Sequence, residues 1–166
     1  MRKESGFTLI ELMVAITIVS IIVVIAVPAW VNWIPSYRLK RATRDVFSSF
    51  QQAKLEAVRR NVNVAISFDP VNDAYTMFVD DGDGAGGVPN DFTQNGTERL
   101  LGSIDLARQF KGSVTLVSAN FSGAQQAGFD SRGLSANSRF GRAILTNTKG
   151  ISLDIILLIT GNIRIE

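Results

Sequence analysis

The sequence contains no cysteine and no histidine. Lack of cysteine excludes disulfides, thiolate metal sites and cysteine nucleophiles, and lack of histidine removes the commonest general base and the usual zinc ligand. Ser-His triads, zinc hydrolases and haem-histidine proteins are therefore ruled out. Charge is also scarce: 19% of the 166 residues are Asp, Glu, Lys or Arg, against roughly 25% in an ordinary globular domain. Apolar residues and glycine together make up 53% of the chain, above the usual ~45–50%. A composition this apolar excludes intrinsic disorder and points to a membrane-directed stretch.

The net charge of +2 hides an uneven distribution. Residues 1–60 carry nine Lys and Arg against four Asp and Glu, while residues 61–166 carry eight against eleven. A general nucleic-acid binder would place its excess base on the folded part; here the base lies near an apolar run. That run extends from Phe7 to Val31, with 20 of 25 residues apolar and Glu11 its only charge. As a helix it reaches about 37 Å, enough to cross a ~30 Å hydrocarbon core with some tilt. Ile and Val dominate it, which lowers helix propensity in water, but in lipid the backbone must bond to itself and helix is the expected state. Three plainer readings fit less well. A secretory signal peptide has a shorter apolar core without a charge such as Glu11, and its cleavage site would be Ala26-Val27-Pro28, where Pro28 falls at the point of cleavage. A plain signal anchor has no use for Glu11, and a soluble core helix needs no unbroken run of this length.

Glu11 is the unusual residue, because a carboxylate in such a run has to be protonated, snorkelled to the headgroups or paired with a cation. If the chain is cut after Gly6, Phe7 gains an α-amine one helical turn before Glu11, within reach in the same chain or across neighbouring chains. The segment Gly6-Phe7-Thr8-Leu9-Ile10-Glu11-Leu12, followed by apolar residues to Pro28, resembles the prepilin signature of type IV pilins and type II secretion pseudopilins. The resemblance implies cleavage between Gly6 and Phe7 by a prepilin peptidase, N-methylation of Phe7, and attraction between Glu11 and the Phe7 amine of the adjacent subunit during assembly. Its implied partners are other pilin or pseudopilin subunits, the peptidase/N-methyltransferase, an inner-membrane assembly platform, and membrane lipid before assembly. The implied location is the bacterial inner membrane, crossed once with the N-terminus cytoplasmic and the head periplasmic, or extracellular in a filament. A bare count of flanking cations runs the other way, since Arg2 and Lys3 precede the span while Arg38, Lys40, Arg41 and Arg44 follow it.

Trp30 and Trp33 flank the end of the run, where aromatic rings favour the water–lipid boundary or a filament contact. Pro28 and Pro35 each remove a backbone donor and are expected to bend or loosen the helix. Beyond Pro35, Leu39, Ala42, Val46, Phe50, Ala53 and Ala57 recur every three or four residues, widened by Phe47 and Val58, which predicts an amphipathic helix to about Arg60. Its basic residues read first as a solvated or salt-bridged face, with contact to anionic lipid as the alternative. The remaining chain changes period. Strands are expected at Val62–Phe68, Tyr75–Asp80, Glu98–Ser103, Val114–Ala119, Phe140–Thr146, Ile151–Ile159 and Asn162–Ile165. Thr160-Gly161-Asn162 suggests a tight hairpin between the last two, and Ile151–Ile159 reads as a central strand covered on both faces. The expected fold class is α+β, a long N-terminal helix packed on an antiparallel β-rich head. The expected parts are a leader (1–6), a transmembrane and assembly half-helix (7–33) and a head including the amphipathic half-helix (34–166).

Phe129-Asp130-Ser131-Arg132-Gly133-Leu134, Gly141 to Asn147 and Thr160-Gly161-Asn162-Ile163-Arg164-Ile165 resemble the GspH/FimT group of minor pseudopilins and minor pilins. Members often close with Gly-Arg-x-Arg, and here Asn162 stands at the first arginine position. The implied function is a structural subunit of a type IV pilus or a type II secretion pseudopilus. Two other functions compete with it. Arg132, Arg139, Arg142 and Arg164 would be the candidates for a DNA-binding minor pilin, since phosphate contacts use such cations, but the acidic balance of residues 61–166 opposes nucleic acid. Asp/Glu pairs or Ser with Lys could serve an enzyme, but no spacing singles out either, and no catalytic residue is expected. No cofactor is expected apart from calcium on Asp81 and Asp83, in Asp80-Asp81-Gly82-Asp83-Gly84-Ala85-Gly86-Gly87. Asp91 and Glu98 could complete that site, yet counted from Asp81 the fifth and twelfth ligand positions are Ala85 and Phe92, so a solvated turn is the plainer reading.

Overall fold

The computed structural model describes residues 7–166, and the chain divides into two compact units, one ending at Ile34 and the other spanning Pro35–Glu166. Helix α1 (Leu9–Arg60) is 52 residues long. It opens on a capping box. Thr8 is the N-cap, its hydroxyl accepting the Glu11 N–H (3.3 Å), while the Glu11 carboxylate accepts the Thr8 N–H (2.9 Å) and hydroxyl (2.7 Å). It closes on Asn61 in the left-handed region (φ 56°), with the Val62 N–H reaching back to the Ala57 carbonyl, a Schellman ending with Asn in the usual glycine place. The helical assignment runs through Pro28 and Pro35 without a break. Neither proline has an N–H, so the carbonyls of Val24 and Val31 lose their ordinary partners.

The first unit, as far as it is described, has no apolar core. Every large apolar side chain from Phe7 to Trp33 is exposed. The second unit is built around the other half of the helix. Leu39, Ala42, Val46, Phe50, Ala53 and Ala57 are all buried, as their spacing predicts; Phe47 is half-buried, but Val58 is exposed and does not widen the stripe.

Two four-stranded antiparallel sheets complete the head. In the first, β1 (Asn63–Asp69) pairs with β2 (Ala74–Asp80) and with β5 (Gln126–Phe129), and β2 also pairs with β3 (Leu100–Asp105), giving the order β3-β2-β1-β5. In the second, β4 (Val114–Phe121), β6 (Gly141–Asn147), β7 (Ser152–Leu157) and β8 (Ile163–Ile165) lie in that order. One core joins the buried helix stripe to the inner faces of both sheets. Phe50 sits at its centre, with ring centroids 5.8 Å from Phe68, 6.0 Å from Phe121 and 6.2 Å from Phe129. Rings at these separations add about 0.5–1.5 kcal/mol each beyond the area they bury. A smaller cluster of Ala65, Phe78, Phe92 and Ala136 packs separately.

Several elements depart from the periodicity. β5 has no expected strand, because Gln-Ala-Gly-Phe shows neither β-branching nor alternation. Its Gly128 is required by close approach, since a Cβ there would sit 2.8 Å from both the Phe92 ring and the Val64 carbonyl oxygen. The single turn α2 (Leu106–Gln109), too short for periodicity to reveal, is capped by Asp105, whose carboxylate accepts the Arg108 N–H at 2.7 Å. β3 starts at Leu100 rather than Glu98, because the Glu98 N–H turns back to the Asn95 carbonyl instead of joining the sheet. β7 is internal in its sheet but is not covered on both faces: Ile155 and Leu157 are buried, whereas Asp154 and Ile156 on the other face are only half-buried. It ends at Leu157, and the hairpin to β8 closes with Gly161 donating to the Leu158 carbonyl.

Candidate assembly site and the loops of the head

Three sets of residues are candidates for function: the start of α1, the acidic loop and the C-terminal arginines. At the helix start, Phe7, Ile10, Glu11, Val14, Ala15 and Ile18 line one helix face around an open hollow of about 370 Å³. Gly6, on the other side of the expected cleavage point, lies outside the described residues. Glu11 has the only carboxylate between Phe7 and Trp33, and its side chain is held by Thr8 rather than by a cation. The Thr-x-x-Glu spacing before an apolar run is a capping-box signature, so this role of Thr8 was visible in the sequence and was missed. The cap leaves the carboxylate with acceptor capacity, since an ionised carboxylate offers about four lone-pair sites.

The loop between β2 and β3 is organised by two carboxylates that sequence reasoning did not single out as fasteners. Asp80, at the end of β2, is buried and accepts the N–H groups of Asn90 (2.8 Å) and Phe92 (3.0 Å). Burial pushes its carboxyl above the usual range; the two amides pull it down, and Glu98 and Asp91 push it up again. Glu98, also buried, accepts the N–H groups of Gly82 and Asn95, both at 2.9 Å. Together they draw an otherwise irregular glycine-rich segment closed and seat Phe92 in the smaller core. The signal that could have found them is an acid at each end of a loop whose amides have no strand partner.

Asp81 and Asp83 are both exposed, and Asp81 accepts the Asp83 N–H at 3.2 Å. Asp91 accepts the Thr93 N–H and the Asn95 side-chain amide. Among the described residues, no group of three or more acidic side chains is placed to hold a metal ion.

The arginines are divided between several neighbours. Arg132 pairs with Asp130 at 2.7 Å, Arg139 stacks on Phe92 with its guanidinium carbon 4.1 Å from the ring centroid, and Arg142 pairs with Asp154 at 3.0 Å. Arg164 is exposed and shares a cross-strand row with Arg142 on the outer face, both standing opposite Ile156. The motif around Arg132 has a structural explanation. The Asp130 carboxylate accepts the N–H groups of Arg132 and Leu134, and the Gly133 carbonyl lies against Gly161, where any Cβ would overlap it. Gly161 also has φ 72°, and its own carbonyl accepts the Lys54 ammonium at 3.0 Å. The turn, the C-terminal hairpin and α1 are thus fastened at one point.

Comparison with known proteins fits this arrangement. Residues 1–27 match the prokaryotic N-terminal methylation motif, and residues 42–161 match the family described as type II transport protein GspH. A fimbrial protein of Pseudomonas aeruginosa is 29% identical over 125 residues, covering 71% of this chain and 80% of the relative. The type IV minor pilin FimU of Pseudomonas aeruginosa superposes with a TM-score of 0.56 at 16% identity, covering 79% of this chain and 90% of that one. The minor pseudopilin EpsH from the type 2 secretion system of Vibrio cholerae gives a TM-score of 0.55 at 13% identity, covering 78% and 96%. These two likenesses establish the fold, a long helix on antiparallel sheet. With a family match over most of its length and a methylation motif at its start, the chain belongs to the GspH family and is a non-enzymatic structural subunit of the type IV pilin and pseudopilin kind.

Proposed function

We propose that this protein is a minor subunit anchored in the bacterial inner membrane by residues 7–31, N-terminus cytoplasmic, and drawn from there into a pilus or pseudopilus. The observation that carries this reading is the first half of α1: an apolar surface exposed along its whole length, with one carboxylate at its start. Such a surface has to be covered by lipid before assembly and by other helices after it, because apolar area left in water costs about 25 cal/mol per Å². A prepilin peptidase cuts between Gly6 and Phe7 and the new amine is methylated. Glu11 then sets register by pairing with the Phe7 amine of a neighbouring subunit, and an inner-membrane platform delivers the subunit with its head on the far side. The capping box supports that role for Glu11, since it fixes the carboxylate's position beside Phe7 while leaving lone pairs open.

The test replaces Glu11 by Ala and by Gln and follows membrane insertion and incorporation separately. Both variants are expected to insert normally and to be absent from the assembled structure. Gln retains an oxygen for the Thr8 N–H, so its failure would assign the defect to charge rather than to the cap. Normal incorporation of the Gln variant would overturn the pairing role.

A further inference from the structure

The cations of α1 beyond the membrane run fall into two groups. Arg38 donates to the Ser113 hydroxyl, Lys54 to the Gly161 carbonyl, and Arg59 and Arg60 to the Glu56 carboxylate. Lys40, Arg41 and Arg44 are exposed, and no described carboxylate pairs with them. Arg44 lies three residues from Arg41 and four from Lys40, so it neighbours both on the helix surface and their like charges repel. They are also only seven to eleven residues beyond Trp33. Following the span so closely in sequence, they stand at the juxtamembrane positions where basic side chains meet anionic headgroups.

The surface beside two of them is amphipathic. Lys40 and Arg44, with Thr43, border a hollow of about 270 Å³ whose other walls are Leu153 and Ile165. A pair of cations at the edge of an apolar hollow suits a phosphate attached to a hydrocarbon body better than it suits a free anion. The part of the head beyond α1 offers no general attraction to acid, since residues 61–166 carry three more acidic than basic residues. Any affinity for a negative surface must therefore be local to these side chains.

We infer that Lys40, Arg41 and Arg44 form a collar that binds the phosphates of anionic phospholipids in the leaflet from which the head emerges. The inference rests on the membrane-anchored reading above. The collar holds the unassembled subunit close to the bilayer and gives the surplus of cations after the span a positive task.

The two tryptophans of the chain, Trp30 and Trp33, lie at the adjoining end of the span and report on the lipids around it. Full-length protein is reconstituted in phosphatidylcholine vesicles containing equal shares of either bromine-labelled phosphatidylglycerol or bromine-labelled phosphatidylcholine, and quenching of tryptophan fluorescence is compared. Brominated phosphatidylglycerol is expected to quench as though enriched about threefold to fivefold at the protein, given roughly a fivefold gain for each cation near an anionic surface as the upper limit. The triple variant Lys40→Gln, Arg41→Gln, Arg44→Gln should abolish the preference with an unchanged unfolding midpoint, while Lys111→Gln should retain it and high salt should erase it. Equal quenching by both lipids would overturn the proposal, and so would a preference that survives in the triple variant. The vesicles contain no assembly partners, so failure of the Glu11 test leaves this measurement standing, and the reverse.

Discussion

The two halves of α1 are both helical and both rich in apolar side chains, yet they have opposite relations to the rest of the chain. In the second half the apolar side chains of the stripe are enclosed by two sheets, and Phe50 touches three other aromatic rings. In the first half Leu12 and Ile16, no less apolar, are more than half exposed. What differs is the pattern: apolar residues recur every third or fourth position in one case and run almost continuously in the other. An interrupted pattern describes a helix whose partner is in the same chain, whereas an unbroken one describes a helix whose partners are other molecules.

The sharpest way to break this contrast is a matched pair of truncations. Phe50→Ala removes the centre of the core and should cost about 3–5 kcal/mol, read as a lower urea midpoint for unfolding of the head. Leu12→Ala should leave that midpoint unchanged, because Leu12 is exposed and belongs to the unit without a core. Equal destabilisation by the two would mean that the first half belongs to the folding unit after all. Next in size is Gly161→Ala. A Cβ there overlaps the Gly133 carbonyl in a backbone conformation that disfavours it, and about 2–3 kcal/mol is expected from crowding and strain together. The same midpoint checks it, and a neutral result would show that the turn and the hairpin can separate without loss.

What the sequence made legible follows the same division. The helix, its buried stripe and seven of the eight strands were readable because burial on one face imposes a period on the residues that meet it. β5 was not, since Gly128 is there to admit a ring and a carbonyl, and such a contact leaves no period behind. At the candidate assembly site the oddity of Glu11 was plain from its setting alone, while the hydrogen bonds to Thr8 required the helix start to be seen as a cap. In the acidic loop the sequence reads Asp81 and Asp83 first as a solvated turn, and both are exposed. Asp80 and Glu98 fasten the loop through backbone amides, and amides carry no mark in a sequence.

Asp80 extends the contrast to charge: it is satisfied wholly within its unit, whereas Glu11 keeps capacity for a partner. Asp80→Asn retains one acceptor and turns an NH₂ group toward the other amide, so about 1–2 kcal/mol of stability should be lost. The pH dependence has a definite sign. Because the fold raises the Asp80 pKa above the unperturbed 3.8, the folded state binds its proton more tightly than the unfolded chain does. Its contribution is fully present below the unfolded value and is lost as pH rises through the folded one. The advantage of the wild type over Asp80→Asn should therefore be greatest at acid pH and shrink as pH rises, in urea titrations run in parallel. An advantage that grows instead would mean that the amides outweigh burial at this site.

The smallest expected effect distinguishes a cation committed within the head from one left at its surface. Arg139 lies over the Phe92 ring and donates to the Gln126 side-chain oxygen at 3.1 Å, joining the fastened loop to β5. Half-buried contacts of this kind contribute about 0.5–1 kcal/mol, so Arg139→Ala should lower the midpoint slightly but measurably. Lys40→Ala, which removes an exposed cation with no partner in the head, should not lower it at all. A double-mutant cycle with Phe92→Leu isolates the stacking, because leucine fills much of the same space without offering a ring face. Coupling near zero would place Arg139 with the solvent-facing cations, and the loop would then be fastened without it.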